Sequence, residues 1–369
     1  MFDPSRQPGL GRIAFPIPSA PMSRQRFYTC DQAQNHLSNT KTCESQNPFY
    51  SGVNSIVTTR VSIFPFRLFR LNYFFALSRT PHALLDLAAP GLAALLSLGM
   101  FPSLPVFMVG FVTAFAGYTA VYALNDLVDF RVDRNSMQGP AVGESNRDLD
   151  SIFVRHPLVK GLISYREALI WALFWSVLAM TGAYWLNPFC LVIFLLGATL
   201  EIVYCALLKI TWLRSIVSGF VKTSGPMAAV FAVTPHPPAL FLACLFIWFF
   251  FWEIGGQNIP NDLTDVESDR EIQAKTVPVR FGVPASIRII VLSLVLACTF
   301  SIALCFLLPE NPGWIYPAGL VLSGIYCLLL PAGNLLASQS TGEAFSLFNR
   351  ASYYPLALLL ILAISFLIR

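Results

Sequence analysis

Long apolar runs, separated by short polar connections on one side and long ones on the other, set the pattern of this chain. A hydrocarbon core of about 30 Å takes about 20 apolar residues as helix. Nine runs meet that length: 82–100, 104–124, 167–186, 188–208, 214–233, 237–257, 286–308, 313–331 and 352–368. Inside lipid every backbone polar group needs a partner, and a helix supplies it within its own segment. The pattern therefore predicts an all-α, polytopic membrane protein of nine crossing helices. Residues 1–60 read differently, with abundant Ser, Pro, Asn and Gln, more arginine than acid, and no continuous apolar stretch. That composition excludes an ordinary secretory signal and leaves a disordered tail or an organellar targeting segment. The expected division is a tail over 1–60 and one membrane-embedded domain over 61–369.

Composition agrees with the pattern. Hydrophobic residues make up 55% and charged residues 12%, against about 25% charged in soluble domains. Mean hydropathy is +0.62. The net charge of +4 gives no single basic patch, so nucleic acid is not an expected partner. Where the charges fall is more informative. The turns joining runs one to two, three to four, five to six and seven to eight hold no Lys or Arg. The alternate connections and the start of the last run hold thirteen: Arg131, Arg134, Arg147, Arg155, Lys160, Arg166, Lys209, Arg214, Arg270, Lys275, Arg280, Arg288 and Arg350. The positive-inside rule places that face, with the N-terminus, inside and the C-terminus outside, in a bacterial inner membrane or an organellar one. The eight cysteines form no C-x-x-C pair and the four histidines have no ligand spacing, so neither points to zinc.

A nine-residue stretch occurs twice. Asn125-Asp126-Leu127-Val128-Asp129-Phe130-Arg131-Val132-Asp133 and Asn261-Asp262-Leu263-Thr264-Asp265-Val266-Glu267-Ser268-Asp269 both fit N-D-L-x-D-x-x-x-D, 136 residues apart. Each stands where an even-numbered run leaves the membrane on the inner face. On a helix the spacing gathers an amide and two or three carboxylates on one side. Acidic faces beside lipid are costly, and one such face alone reads as helix capping or solvated loop. Two matching copies at one depth read as a shared site. The duplication predicts halves of about 75–210 and 211–369 with the site between them. Hard oxygen donors of this kind suit Mg²⁺, which takes one or two carboxylates and fills its shell with water and substrate phosphate. The expected ligands are Asn125, Asp126, Asp129, Asp133, Asn261, Asp262, Asp265 and Asp269, with a diphosphate bridged between the faces. Lys209, Lys275, Arg155, His156 and Lys160 are the cations in sequence reach of it.

These residues resemble the UbiA superfamily of intramembrane prenyltransferases over about 75–369. The resemblance rests on the two acidic motifs and on Lys275-Thr276-Val277-Pro278-Val279-Arg280-Phe281-Gly282, similar to the family's K-T-x-P-V-x-x-G. It rests also on Tyr204-Cys205-Ala206-Leu207-Leu208-Lys209, similar to Y-S-x-x-x-K. Three features depart from the family: Asn261 stands where many members have Asp, R-P-L-x-x-G reads His156-Pro157-Leu158-Val159-Lys160-Gly161 with Arg155 one place early, and 135–150 looks inserted. The resemblance implies a helical bundle with a central cavity open to lipid and capped by the two acidic loops. It implies Mg²⁺-dependent ionisation of a polyprenyl diphosphate, with a hydrophobic or aromatic acceptor capturing the cation. Asp129, Asp133, Asp265, Asp269, Tyr204 and Lys209 would then act at the reacting centre, and Asn125, Asn261, Lys275 and Arg155 on the diphosphate.

An allylic cation wants π faces and exclusion of water. Phe246, Trp248, Phe249, Phe250, Phe251 and Trp252 precede the second motif, with an interfacial aromatic belt as their other reading. Glu201 and Lys222 fall at equal depth in runs four and five and are expected to form an intramembrane ion pair, since an unpaired charge there costs at least ~2.5 kcal/mol. Asp86 and Arg79 lie near the start of run one, where they would orient an acceptor. A quinone or chromanol precursor is the first choice of acceptor. The motifs equally admit a glycerol phosphate type lipid or a tetrapyrrole, and a terpene cyclase in which the chain's own double bond attacks. A secondary transporter would explain repeats and intramembrane charges, but not acids gathered at one interface.

Overall fold

The computed structural model describes residues 63–136 and 152–368, with only the backbone placed over 63–69 and 131–136. The tail expected over 1–60, most of the inserted segment and the side chain of Asp133 lie outside the described residues. Within them the protein is all-α, with no strand. A first helix, α1 (Ile63–Leu77), leads into nine helices long and apolar enough to cross a membrane. These are α2 (Thr80–Leu98), α3 (Leu104–Ser136), α4 (Tyr165–Leu186), α5 (Pro188–Ala206), α6 (Arg214–Val233) and α7 (Ala239–Thr264). After the short helices α8 (Val266–Glu271) and α9 (Val277–Phe281) come α10 (Val283–Cys305), α11 (Ile315–Ser338) and α12 (Thr341–Ile368). All nine runs read from hydropathy are present. The largest differences are α3, which continues twelve residues past its apolar run, and α12, which starts eleven residues before its own: helix formation continues through these stretches once the backbone is packed, whether or not each side chain is apolar.

Local chemistry starts and stops these helices. Ser164 caps α4 in a reciprocal box with Glu167, an arrangement contributing about 1 kcal/mol. Asn187 alone joins α4 to α5: its side chain accepts from Phe189 N at 2.9 Å, and Pro188 fills the first helical position. Arg79 takes a left-handed conformation between α1 and α2, at the N-cap of the first crossing helix and on the cavity wall.

The outer surface carries large apolar side chains such as Leu173, Phe174, Leu196, Leu292 and Leu322, a lipid-facing shell. Between helices the hydrophobic effect is weak in lipid, so close packing of small residues holds the bundle. Gly182 of α4 rests on Thr113 of α3, and Gly197 of α5 on Ser224 of α6; a Cβ at either glycine would lie 2.0 Å and 2.6 Å from those hydroxyls. The core is aromatic, with Trp248, Phe249 and Trp252 of α7 and Tyr354 of α12 fully buried. Helices α2, α3, α5, α6, α7 and α12 surround a cavity of about 1450 Å³.

Candidate active site

Both acidic motifs stand toward the C-terminal ends of long helices: Asn125 and Asp129 in the last turns of α3, Asn261 at the end of α7, and Asp265 at the bend between α7 and α8. Within α7, the stretch from Glu253 to Asn258 is π-helical, and a last α-helical stretch, Ile259–Thr264, follows it. Such wide turns gather at functional sites because one extra residue per turn re-aims the side chains that follow. Two glycines permit it. A Cβ on Gly255 would lie 2.9 Å from the Ile290 carbonyl oxygen, and one on Gly256 2.9 Å from Ala351 Cβ. The turn thereby directs Glu253, Gln257 and Asn258 to the cavity wall, beside Asn261 and Asp265.

The second residue of each motif faces inward and meets an arginine. Arg79 Nη2 lies 3.3 Å from Asp126 Oδ1. Arg214 is buried, stacks over the Tyr204 ring at 4.1 Å, and has Asp262, Asp269 and Asp129 as electrostatic neighbours. One guanidinium thus faces both acidic motifs. Asn258 Nδ2 donates to Tyr204 OH at 3.1 Å, and Asn125 Nδ2 donates to Glu201 Oε1 at 2.6 Å and to Cys205 Sγ at 3.3 Å. Cys205 in turn lies against Asp129. After the second motif, Thr276 Oγ1 donates to Asp269 Oδ2 at 3.0 Å, and Lys275 N donates to Leu208 O at 2.7 Å. These bonds tie the K-T-x-P-V segment to the turn after α5.

The cavity wall contains Asn125, Asn261, Asp265, Tyr204 and Arg155 of the residues expected from sequence. A left-handed His156 and the bonds Lys160 N to His156 O and Leu162 N to Pro157 O fold the loop back, which brings Arg155 and His156 to the wall. Asp126 and Asp262 are buried behind it, and Asp129 and Asp269 do not line it. Lys209 and Lys275 are exposed and also absent from the wall. The cations that do reach it are Arg79, Arg155 and Lys222, with Arg214 directly behind.

Two expectations change. Lys222 pairs with Asp86 of α2, at 2.6 Å, and not with Glu201, which takes the Asn125 amide instead. Equal depth along two helices does not fix which way each side chain turns. Also, none of the six aromatic residues over 246–252 lines the cavity; Trp248, Phe249 and Trp252 form core, and the rings at the wall include those of Tyr118, Tyr122, Phe194, Tyr204, Phe345 and Phe348.

Whether the donors suit a divalent cation follows from the atoms left over. Asn258 Oδ1, Asp262 Oδ2 and Glu253 Oε2 are buried without a partner, as is Arg214 Nε. Burial pushes the carboxyls of Asp265 and Asp269 up from the usual aspartate range; Thr264 and Arg155 oppose this at Asp265, and Thr276 and Arg214 at Asp269. Among the described residues no three His, Cys, Asp or Glu side chains form a ready metal cage. Hard oxygen donors facing each other across a gap, with spare acceptors, fit Mg²⁺ arriving with a phosphate ligand, which completes its shell.

The UbiA prenyltransferase family model matches residues 87–353. Among solved structures, the chain is similar to one titled for digeranylgeranylglyceryl phosphate synthase, at 18% identity and TM-score 0.60, over 81% of this chain and 99% of that one. It is similar to a UbiA homolog from Aeropyrum pernix K1, at 18% identity and TM-score 0.59, over 78% of this chain and 97% of that one. A third, from Archaeoglobus fulgidus, bound to GPP and Mg²⁺, has 17% identity and TM-score 0.58, over 79% of this chain and 99% of that one. No curated protein matches the chain.

Proposed function

The chain belongs to the UbiA prenyltransferase family, and we propose that it transfers a polyprenyl group from a Mg²⁺-bound polyprenyl diphosphate to an aromatic acceptor, a quinone or chromanol precursor, inside the membrane. The observation that carries this reading is the buried Arg214, stacked on the cavity residue Tyr204, with Asp262 and Asp269 of the second motif and Asp129 of the first as electrostatic neighbours. The A. fulgidus relative supports it by holding GPP with Mg²⁺.

In this reading Asn125, Asp129, Asn261, Asp265 and Asp269 would hold Mg²⁺-diphosphate, and the metal would supply positive charge to the leaving group. Asp133 belongs to the same set by its place in the first motif. Asp126 and Asp262 fix the motif helices through Arg79 and Arg214. Arg214 and Arg155 face the diphosphate, with Tyr204 holding the Arg214 plane. The C1–O bond breaks, C1 joins the acceptor, and the acceptor's displaced proton leaves with the diphosphate. The protein's part is to orient the two substrates and keep water from the cation.

The cavity volume exceeds the 300–1,000 Å³ of ordinary ligand pockets, which leaves room for a prenyl chain and an acceptor together. Its wall includes the exposed side chains Phe107, Phe111 and Leu360, so it reaches the lipid face between α3 and α12. We place this site on the inner membrane face, with the N-terminus inside and the C-terminus outside, by the loop charges. A duplication into halves of about 75–210 and 211–369 accounts for the paired motifs. It also fits the arginines near the second aspartate of each motif, Arg79 beside Asp126 and Arg214 as an electrostatic neighbour of Asp262, since Arg79 stands at the start of the first helix of one half and Arg214 of the other.

Membranes containing the protein are expected to release diphosphate from geranylgeranyl diphosphate with Mg²⁺, and EDTA to lower the rate by more than about 100-fold. A prenylated aromatic product identifies transfer. A cyclic hydrocarbon formed at the same rate without acceptor overturns transfer in favour of cyclisation. Chain length gives a separate expectation. Gly110 lines the cavity on α3, and a Cβ there would meet nothing within 4 Å. Gly110→Leu should therefore fill the cavity without disturbing the fold. The ratio of C20 to C10 diphosphate turnover, read by mass spectrometry, should fall by about tenfold or more; an unchanged ratio places the chain elsewhere.

A further inference from the structure

Below the diphosphate level the cavity contains a second polar layer. Lys222 Nζ lies 2.6 Å from Asp86 Oδ2, and Tyr122 OH donates to the same oxygen at 2.5 Å. Glu253 Oε1 accepts from Ser218 Oγ at 2.7 Å, and Lys222 is within electrostatic reach of Glu253. All five residues line the cavity. Lys222 follows Arg214 by eight residues on α6, a rise of about 12 Å, so this layer lies two helical turns deeper than the guanidinium that faces both motifs. A diphosphate held between the motifs does not account for it.

Two observations point to a ligand and not only to a bond between helices. The first is the unused valence of Lys222. An ammonium has three donors; one goes to Asp86, the Trp252 ring lies 6.0 Å away, and the side chain keeps 15% of its surface open. The second is Glu253 Oε2, a buried carboxylate oxygen with no partner. A free donor and a free acceptor on one wall are complementary to a hydroxyl group, which accepts one hydrogen bond and donates another.

We propose that Lys222 and Glu253, with Asp86 and Tyr122 holding the lysine, form the acceptor-recognition site, and that the acceptor carries a hydroxyl there. Lys222 donates to the hydroxyl oxygen, and the hydroxyl donates to Glu253. The four side chains bind and orient; they take no proton from the acceptor. This rests on the transfer reading above. Asp86 and Lys222 are also 136 residues apart in sequence, the separation of the two acidic motifs, so the pair joins equivalent positions of the proposed halves at the wall they share.

The test uses the full chain in lipid nanodiscs with Mg²⁺ and geranylgeranyl diphosphate. Hydroquinone is the aromatic hydroxyl probe, its dimethyl ether the control without hydroxyls, and a monoacylglycerol the lipid hydroxyl probe. Wild-type protein should prenylate one hydroxyl probe and not the ether, and which probe reacts tells aromatic from lipid acceptor. Lys222→Met and Glu253→Gln should each raise KM for that probe at least tenfold, while KM for the prenyl diphosphate stays within twofold. The double variant Asp86→Asn/Lys222→Met removes both charges of the ion pair, so it should recover melting temperature relative to Lys222→Met alone without recovering acceptor KM. Recovery of both would reduce the pair to a helix contact and overturn the proposal, as would an unchanged acceptor KM in the single variants. If wild-type protein prenylates neither probe but still releases diphosphate, the transfer reading fails first and this inference with it.

Discussion

Asp129→Ala and Asp265→Ala are each expected to lower Mg²⁺-dependent diphosphate release by about 10³-fold, in the range seen when one preorganised electrostatic partner of a developing charge is removed. The two carboxylates occupy the same place in the two motifs, one near the end of α3 and one at the bend after α7. Losing either leaves the metal held from one side. Asp265 is exposed at the cavity, and its side chain has no packing role, so its removal should change stability by no more than about 0.5 kcal/mol. That separates chemistry from folding. Rate loss with an unchanged melting temperature supports the assignment to the reacting centre. Two active alanine variants would remove the acidic motifs from the mechanism.

Much of this architecture is legible in the sequence because lipid imposes it. A crossing helix needs its apolar length whatever it packs against, so the runs found by hydropathy coincide with α2 to α7 and α10 to α12. The acidic motifs were equally visible, since charges are rare enough in such a chain that a repeat stands out. What hydropathy does not encode is direction around each helix axis. Counting residues places Lys222 level with Glu201, yet Asp86 lies at that depth too, and only packing of α2 on α6 selects it. The aromatic run before the second motif fails for the same reason: six rings cover the whole circumference, and the buried side of α7 takes the tryptophans. The π turn at Glu253–Asn258 has no periodic signature. Its one sequence trace is the Gly255-Gly256 pair, which permits the close approach of Ile290 and Ala351. Periodicity alone therefore does not mark Glu253, Gln257 and Asn258 as wall residues, although they stand within nine positions of the motif.

Arg214→Gln is expected to lower diphosphate release by about 10²–10³-fold, whereas Lys209→Gln should stay within about threefold, the reverse of what the Y-S-x-x-x-K resemblance implies. Both cations sit by the turn between α5 and α6. Lys209 points outward and is exposed; Arg214 is buried over Tyr204, with Nε unpartnered and acids of both motifs around it. A planar guanidinium in that position matches two phosphate oxygens at once, and burial strengthens each bond. The substitution carries a second consequence that has to be separated from the first. Without Arg214 the buried Asp262 loses a stabilising electrostatic neighbour, and leaving a buried charge uncompensated is destabilising. Arg214→Gln/Asp262→Asn removes both charges, so it should regain most of the stability. If Arg214 only balances Asp262, the double variant regains the rate as well. If it holds the leaving diphosphate, the protein melts as before while release stays slow.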